Sequence, residues 1–151
     1  MECNSTAGLP RGAEVTCTIT NTRRGVRSQP FTPGYWKTHQ AETTALLPIM
    51  LGNYLVTTWK SASAILVAMN CGSSKDQDAV GCLAGHLLSA ELNVKNGANN
   101  CINPVIAQAD SLLVSIGYAG PGKRYTLTPQ QRQQLIALKD KLDRYNNGLG
   151  C

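Results

Sequence analysis

Charge is scarce in this sequence. Charged residues make up 15% of the chain, against about 25% in an ordinary globular protein. A surface made instead from Ser, Thr, Asn and Gln suits a secreted protein better than a cytosolic one. Aromatics are scarcer still, at 5% with two Trp and one Phe, so each has to be accounted for. No run approaches the ~18 apolar residues of a membrane span. Met1 is followed directly by Glu2-Cys3, without the basic and apolar regions of a signal peptide. The expectation is that Met1 is an added start, or that the chain is a piece of a longer exported protein. The sequon Asn4-Ser5-Thr6 reads as fortuitous if the source is bacterial.

Catalytic signatures are missing as well. There is no C-x-x-C for a zinc knuckle or thioredoxin-type exchange and no G-x-S-x-G nucleophile elbow. The Asp and Glu residues are scattered, with no pair set in an apolar run for glycosidase work. The net charge is +5, but Arg23, Arg24 and Arg27 form one small cluster and Lys123 and Arg124 another. Neither is interleaved with aromatics that would stack on bases. The charge reads as a mildly basic solvated surface, and no nucleic-acid partner is expected.

What the sequence does have is enough apolar content for a core and an even set of cysteines. With 42% hydrophobic residues over 151 positions, one domain can bury roughly 68–70% of its unfolded surface. The cysteines stand at Cys3, Cys17, Cys71, Cys82, Cys101 and Cys151. Six allow 15 pairings. Order along the chain favours 3–17, 71–82 and 101–151, because each pair brackets one local unit. Disulfides persist in oxidising compartments, so the expected location is extracellular, secreted or at a cell surface.

The pattern is mainly α, preceded by a β-hairpin. Glu14 to Thr20 alternates polar and apolar with β-branched residues, a half-buried strand with Val15, Cys17 and Ile19 on one face. Residues 2–6 pair back as its first arm, so residues 1–22 read as a hairpin, the end of an upstream β-domain. Residues 23–33 read as a basic, proline-punctuated linker. Residues 34–151 read as a helical domain of about five helices. The first runs over 34–48 and is ended by Pro48. Residues 49–57 read as irregular or briefly extended, and 58–69 as a short helix. The third is capped by Ser73 or Ser74, carries Asp76 and Asp78 in its first turn, and shows an apolar stripe of Val80, Leu83, Leu87 and Val94 widened by Leu88 and Leu92. Its Gly81 and Gly85 cost helix propensity and mark a close approach by another element. The fourth opens on Asn103-Pro104 and ends at Gly117. The last opens on Thr128-Pro129-Gln130-Gln131, a capping box.

Three stretches carry a resemblance. Thr32-Pro33-Gly34-Tyr35-Trp36-Lys37-Thr38-His39, Cys82 to Asn93, and Leu142 to Gly148 resemble the signature, central helix and ending of an uncharacterised domain of bacterial secreted and surface proteins marked by G-Y-W-K-N-H. Thr38 stands where Asn is expected. The resemblance covers residues 32–151. Cys17 to Thr22 resembles the last strand of immunoglobulin-like or prealbumin-like surface-protein domains. The resemblance implies a module of a multi-domain exported protein and implies no activity or cofactor.

Two functions follow as expectations. One is a non-catalytic structural or adhesive module of a bacterial surface protein or filament. Its partners would be other subunits or domains of the same protein, and Val15, Ile19, Tyr35 and Trp36 its candidate interaction residues. Tyr35 and Trp36 could form a carbohydrate or partner platform, but the favoured reading of Trp36 is a core plug whose indole bonds a loop carbonyl. The other is a metal-binding domain or metal-dependent enzyme in which His39 and His86 meet with a carboxylate such as Glu42 or Glu91.

The disulfide reading is checked by thiol titration of the native chain, which is expected to find no reactive sulfhydryl. Closing a ~50-residue loop stabilises by about 4 kcal/mol, so reduction is expected to lower the melting temperature by about 10 °C or more.

Overall fold

A computed structural model describes residues 28–151. The expected N-terminal hairpin, the Cys3–Cys17 pair, Val15 and Ile19 lie outside the described residues. Within them the protein is mainly helical: α1 (Pro33–Thr38), α2 (Gln40–Ala45), a hairpin of β1 (Ile49–Leu51) and β2 (Tyr54–Val56), α3 (Trp59–Val67), α4 (Asp76–Lys95), a 3₁₀ turn (Asn100–Ile102), α5 (Asn103–Ile116) and α6 (Pro129–Asn146). No helix among the described residues is long and apolar enough to cross a membrane.

The single helix expected over 34–48 is two. Thr32 caps α1, its Oγ1 accepting from Tyr35 N, and Pro33 fits the first turn because it needs no donor there. At His39 the backbone leaves the helical region, at φ −113° and ψ 75°. The His39 ring turns back onto Tyr35 O at 2.7 Å, and α2 starts afresh. Residues 49–57 are more regular than expected. β1 and β2 pair antiparallel, with Ile49 opposite Val56 and Met50 opposite Leu55. Ile49, Leu51 and Val56 face the core, while Met50 and Leu55 are exposed, the alternation of a one-sided ribbon. Gly52 turns the hairpin with φ +59° and lies against Leu113 and the backbone of Val114, where a side chain would be both strained and crowded.

α4 is the axis of the domain. An amphipathic stripe is expected, but every residue from Cys82 to Ala90 is buried, as for a helix surrounded on all sides. α6 packs along it, with α3, α5 and β1 also against it. The two glycines admit α3's C-terminal end. Ala68 O stands 3.4 Å from where a Gly81 Cβ would be, and the Met69 side chain occupies the place of a Gly85 Cβ. The expected cap is displaced: Lys75 holds the N-cap position without a side-chain bond, and Ser73 Oγ accepts from Lys75 N at 3.2 Å. Asp76 serves α6 instead. It accepts from Leu127 N at 3.0 Å and pairs with Arg132. These two bonds, Leu127 N first, hold its carboxyl below the usual range.

The start of α5 also differs. Asn99, not Asn103, supplies the cap, accepting from Cys101 N at 3.0 Å, and one 3₁₀ turn precedes the helix. Gly117 at φ +79° ends it. α6 opens as expected, with reciprocal Thr128–Gln131 bonds. Both bridges expected within the described residues are formed, Cys71–Cys82 with Cα atoms 5.1 Å apart and Cys101–Cys151 at 6.2 Å. The latter lays the C-terminal tail beside the start of α5. The last part of the expected linker is docked: Ser28 Oγ donates to Asn96 O at 2.7 Å, and Phe31 is bonded to α4.

Candidate functional site

Phe31, Trp36 and Asn146 converge on one buried amide. Asn93, near the end of α4, has no exposed surface. Its Oδ1 accepts from Phe31 N at 2.7 Å and from Trp36 Nε1 at 3.2 Å. Its Nδ2 donates to Phe31 O at 2.8 Å and to Asn146 Oδ1 at 3.0 Å. Asn146, equally buried on α6, donates through Nδ2 to His86 O at 2.9 Å. The segment before α1, the Trp36 indole, α4 and α6 are therefore joined by one polar chain. Buried amides are tolerated when their donors and acceptors are matched, and both acceptor atoms and both amide nitrogens here have partners.

Trp36 is 0% exposed. It therefore offers no surface to a partner, which corrects its place among the interaction residues. Its indole bonds a helix side chain and not the expected loop carbonyl. Tyr35 is half-buried, stacked between Phe31 at 3.9 Å and His39 at 3.7 Å. Asn93 and Asn146 are the residues the sequence reading missed. The signal present was a polar residue inside the apolar run Leu92-Asn93-Val94.

His39 and His86 are not brought into one ligand cluster. His39 is tied to Tyr35 O and also faces Thr38 Oγ1 at 3.1 Å. His86 is 6% exposed, and its Nε2 lies 3.8 Å from Asp143 Oδ1. Burial, partly opposed by the Asp143 charge, holds the His86 imidazole below its usual pKa. Among the described residues, the one compact group of three potential metal-ligating side chains is Cys71, Cys82 and His86. Its two sulfurs are bonded to each other.

Among the described residues, two clefts are lined by charged side chains. The larger, about 340 Å³, lies between the start of α4 and the loop after α5, lined by Gln77, Asp78, Tyr118, Lys123, Arg124 and Tyr125 among others. Tyr125 fastens that loop, its hydroxyl donating to Gly120 O at 2.8 Å and accepting from Ala119 N at 3.0 Å. Tyr118 packs edge-on against Tyr54 and stacks on Tyr125. The cleft offers both charges, an amide and aromatic rings, a set suited to a polar ligand.

The second cleft, about 210 Å³, is lined by Glu91, Lys95, Asn103 and Asp110. Here the structure corrects the reading of scattered carboxylates, because packing of α5 on α4 brings Glu91 and Asp110 together. Burial, then the Asp110 charge, pushes the Glu91 carboxyl up to about 8 against the pull of Lys95. Burial also raises Asp110, offset by the Gly52 N–H it accepts. Glu91 Oε1 is buried without a hydrogen-bond partner. Lys95 is held elsewhere, donating to Leu46 O and Pro48 O at 3.0 and 2.7 Å.

Two predictions follow. Asn93→Leu leaves the Phe31 N–H and the indole N–H without an acceptor. It is expected to cost about 2–4 kcal/mol, read as a fall of several degrees in melting temperature. Glu91 binds its proton more tightly folded than unfolded. Its contribution to stability is therefore complete below the unfolded value of 4.5 and lost as pH rises through about 8. Glu91→Gln is expected to flatten stability between about pH 5 and pH 9 and to raise it at the alkaline end by ~1–3 kcal/mol. Denaturant titrations across that range check the sign.

No family model, no curated protein and no solved structure matches the chain.

Proposed function

We propose that the chain is a non-catalytic structural or adhesive module of an extracellular bacterial surface protein or filament. The observation that supports this reading is the use made of the signature side chains. The Trp36, Asn93 and Asn146 side chains bond to one another and to the Phe31 backbone inside the domain, and so join elements instead of presenting chemistry to solvent. The two disulfides support the extracellular setting, since such bridges last where the environment is oxidising. They also support a rigid body: one fastens the α3–α4 loop to α4 and the other fastens the tail to the start of α5. The 340 Å³ cleft beside Tyr118 and Tyr125 is the surface an adhesive role would use.

The assembly part of the proposal rests on sequence. Residues 14–20 alternate as a strand does, and strand addition between identical chains is head-to-tail and propagates. Light scattering of the full chain is expected to show concentration-dependent growth in mass that deletion of residues 1–22 abolishes. A full chain that stays monomeric at high concentration, with its mass changed only by the deleted residues, removes assembly and leaves a passive bead.

A further inference from the structure

The Cys71–Cys82 bridge has an unusual neighbour. Both sulfurs and one ring nitrogen of His86 lie within 4.8 Å of one another. Cys82 and His86 are four residues apart on α4, so they share a helix face. Cys71 reaches the same point from the exposed loop between α3 and α4. Asp143, on α6, brings a carboxylate oxygen to 3.8 Å from His86 Nε2. Two elements thus deliver two sulfurs and an imidazole to one corner, with the Asp143 carboxylate beside the imidazole, and the sulfurs are bonded to each other.

We propose that reduction of the Cys71–Cys82 disulfide opens a metal site in which Cys71, Cys82 and His86 bind a borderline-soft divalent ion of the zinc class, with Asp143 or water in the fourth position. This goes beyond the structural reading of the chain and does not depend on it. The chemistry balances with an added thiol or phosphine reductant. With a thiol reductant, two external thiols give two electrons and two protons to the S–S bond and leave as their own disulfide; with a phosphine, phosphorus gives the two electrons, and water supplies the two protons and the oxygen of the phosphine oxide. The divalent ion then displaces both thiol protons to solvent and forms two metal–thiolate bonds.

The donor set suits this class of ion, since thiolate and imidazole select zinc over the hard cations that oxygen cages hold. A tetrahedral site with metal–sulfur bonds of about 2.3 Å needs its thiolates roughly 3.8 Å apart. The Cα atoms, 5.1 Å apart, allow that separation by side-chain rotation. Cys82 and His86 are 2% and 6% exposed, so two ligands are fixed by packing. Cys71 is exposed, which gives a reductant its point of attack and lets the third ligand adjust. The two cysteines therefore make a staple under oxidising conditions and, with His86, a metal centre under reducing ones.

The test uses the full chain and Co²⁺ as a spectroscopic stand-in. The chain is reduced with a phosphine under anaerobic conditions and titrated with cobalt chloride. One equivalent is expected to bind, with a thiolate-to-cobalt charge-transfer band and the visible bands of tetrahedral cobalt, and the oxidised chain is expected to show neither. A Cys71→Ser/Cys82→Ser chain, which keeps the other four cysteines, is expected to lose the band under the same reduction. His86→Gln is expected to keep charge transfer while binding at least about tenfold more weakly. The proposal is overturned if the reduced chain shows no charge transfer, if the double variant retains it, or if His86→Gln binds with unchanged affinity. Far-UV circular dichroism covers the case in which reduction loosens the fold. Recovery of helix on adding cobalt supports the site, and helix loss that cobalt does not reverse counts against it.

Discussion

The domain depends on keeping a carboxamide satisfied where no water reaches it. Asn93 itself has no exposed surface, and an unmatched amide there costs about 1–3 kcal/mol per lost partner. Matching it fixes four things at once: the backbone of Phe31, the ring of Trp36, the register of α6 through Asn146, and, through Asn146 again, the backbone of His86 two turns back on α4. Apolar packing tolerates small slips of one helix along another. A two-sided amide does not, because both its carbonyl and its NH₂ must find complementary groups. The Asn93–Asn146 bond therefore sets the geometry that the surrounding leucines fill.

That constraint orders the rest of the structure. α6 can lie along α4 only if its far end is also placed, and Asp76 does this by receiving Leu127 N and Arg132 at the start of α6. The helix pair is thus pinned at both ends by polar contacts and filled between by Leu83, Leu87, Leu135, Leu138 and Leu142. The disulfides act at the periphery of this frame. A loop of sequence separation 50 restricts the unfolded chain more than one of 11, though the dependence on length is only logarithmic. The shorter bridge has a more local consequence. It draws the loop beside Met69 onto α4, where Gly85 leaves room for the thioether.

Legibility in the sequence followed the range of the interaction. The Thr128–Gln131 box is decided within four residues and was readable in full, as was the left-handed Gly117. The bridges at 71–82 and 101–151 were readable because order along the chain coincided with proximity in space. The break at His39 was hidden, since Ala41 to Leu47 continues a helical composition and only the ring's bond to Tyr35 O marks the stop. Asp76 looked like a dipole partner for its own helix, yet its oxygens are used by residues more than fifty positions away. The buried face of α4 was read as a stripe because no local pattern tells how many neighbours a helix has.

The candidate sites lie at the far end of that scale. Glu91 and Asp110 occupy different helices, and each alone is an ordinary carboxylate. Only the packing of α5 on α4 strips Glu91 of water and sets a second acid beside it. Cys82 and His86 were legible as one helix face, but their meeting with Cys71 and Asp143 needs the α3–α4 loop and α6 in place. A contrast separates these groups from the Asn93 hub. In the hub every polar atom has a partner, so the arrangement is complete as it stands. Glu91 Oε1 has none, and its proton is retained to a pH where an exposed carboxylate would long have lost it. A polar group held at a cost to stability is explained by packing alone less readily than one whose bonds are all made. For that reason the Glu91–Asp110 cleft, unlike the Asn93 hub, holds a group that folding alone does not account for.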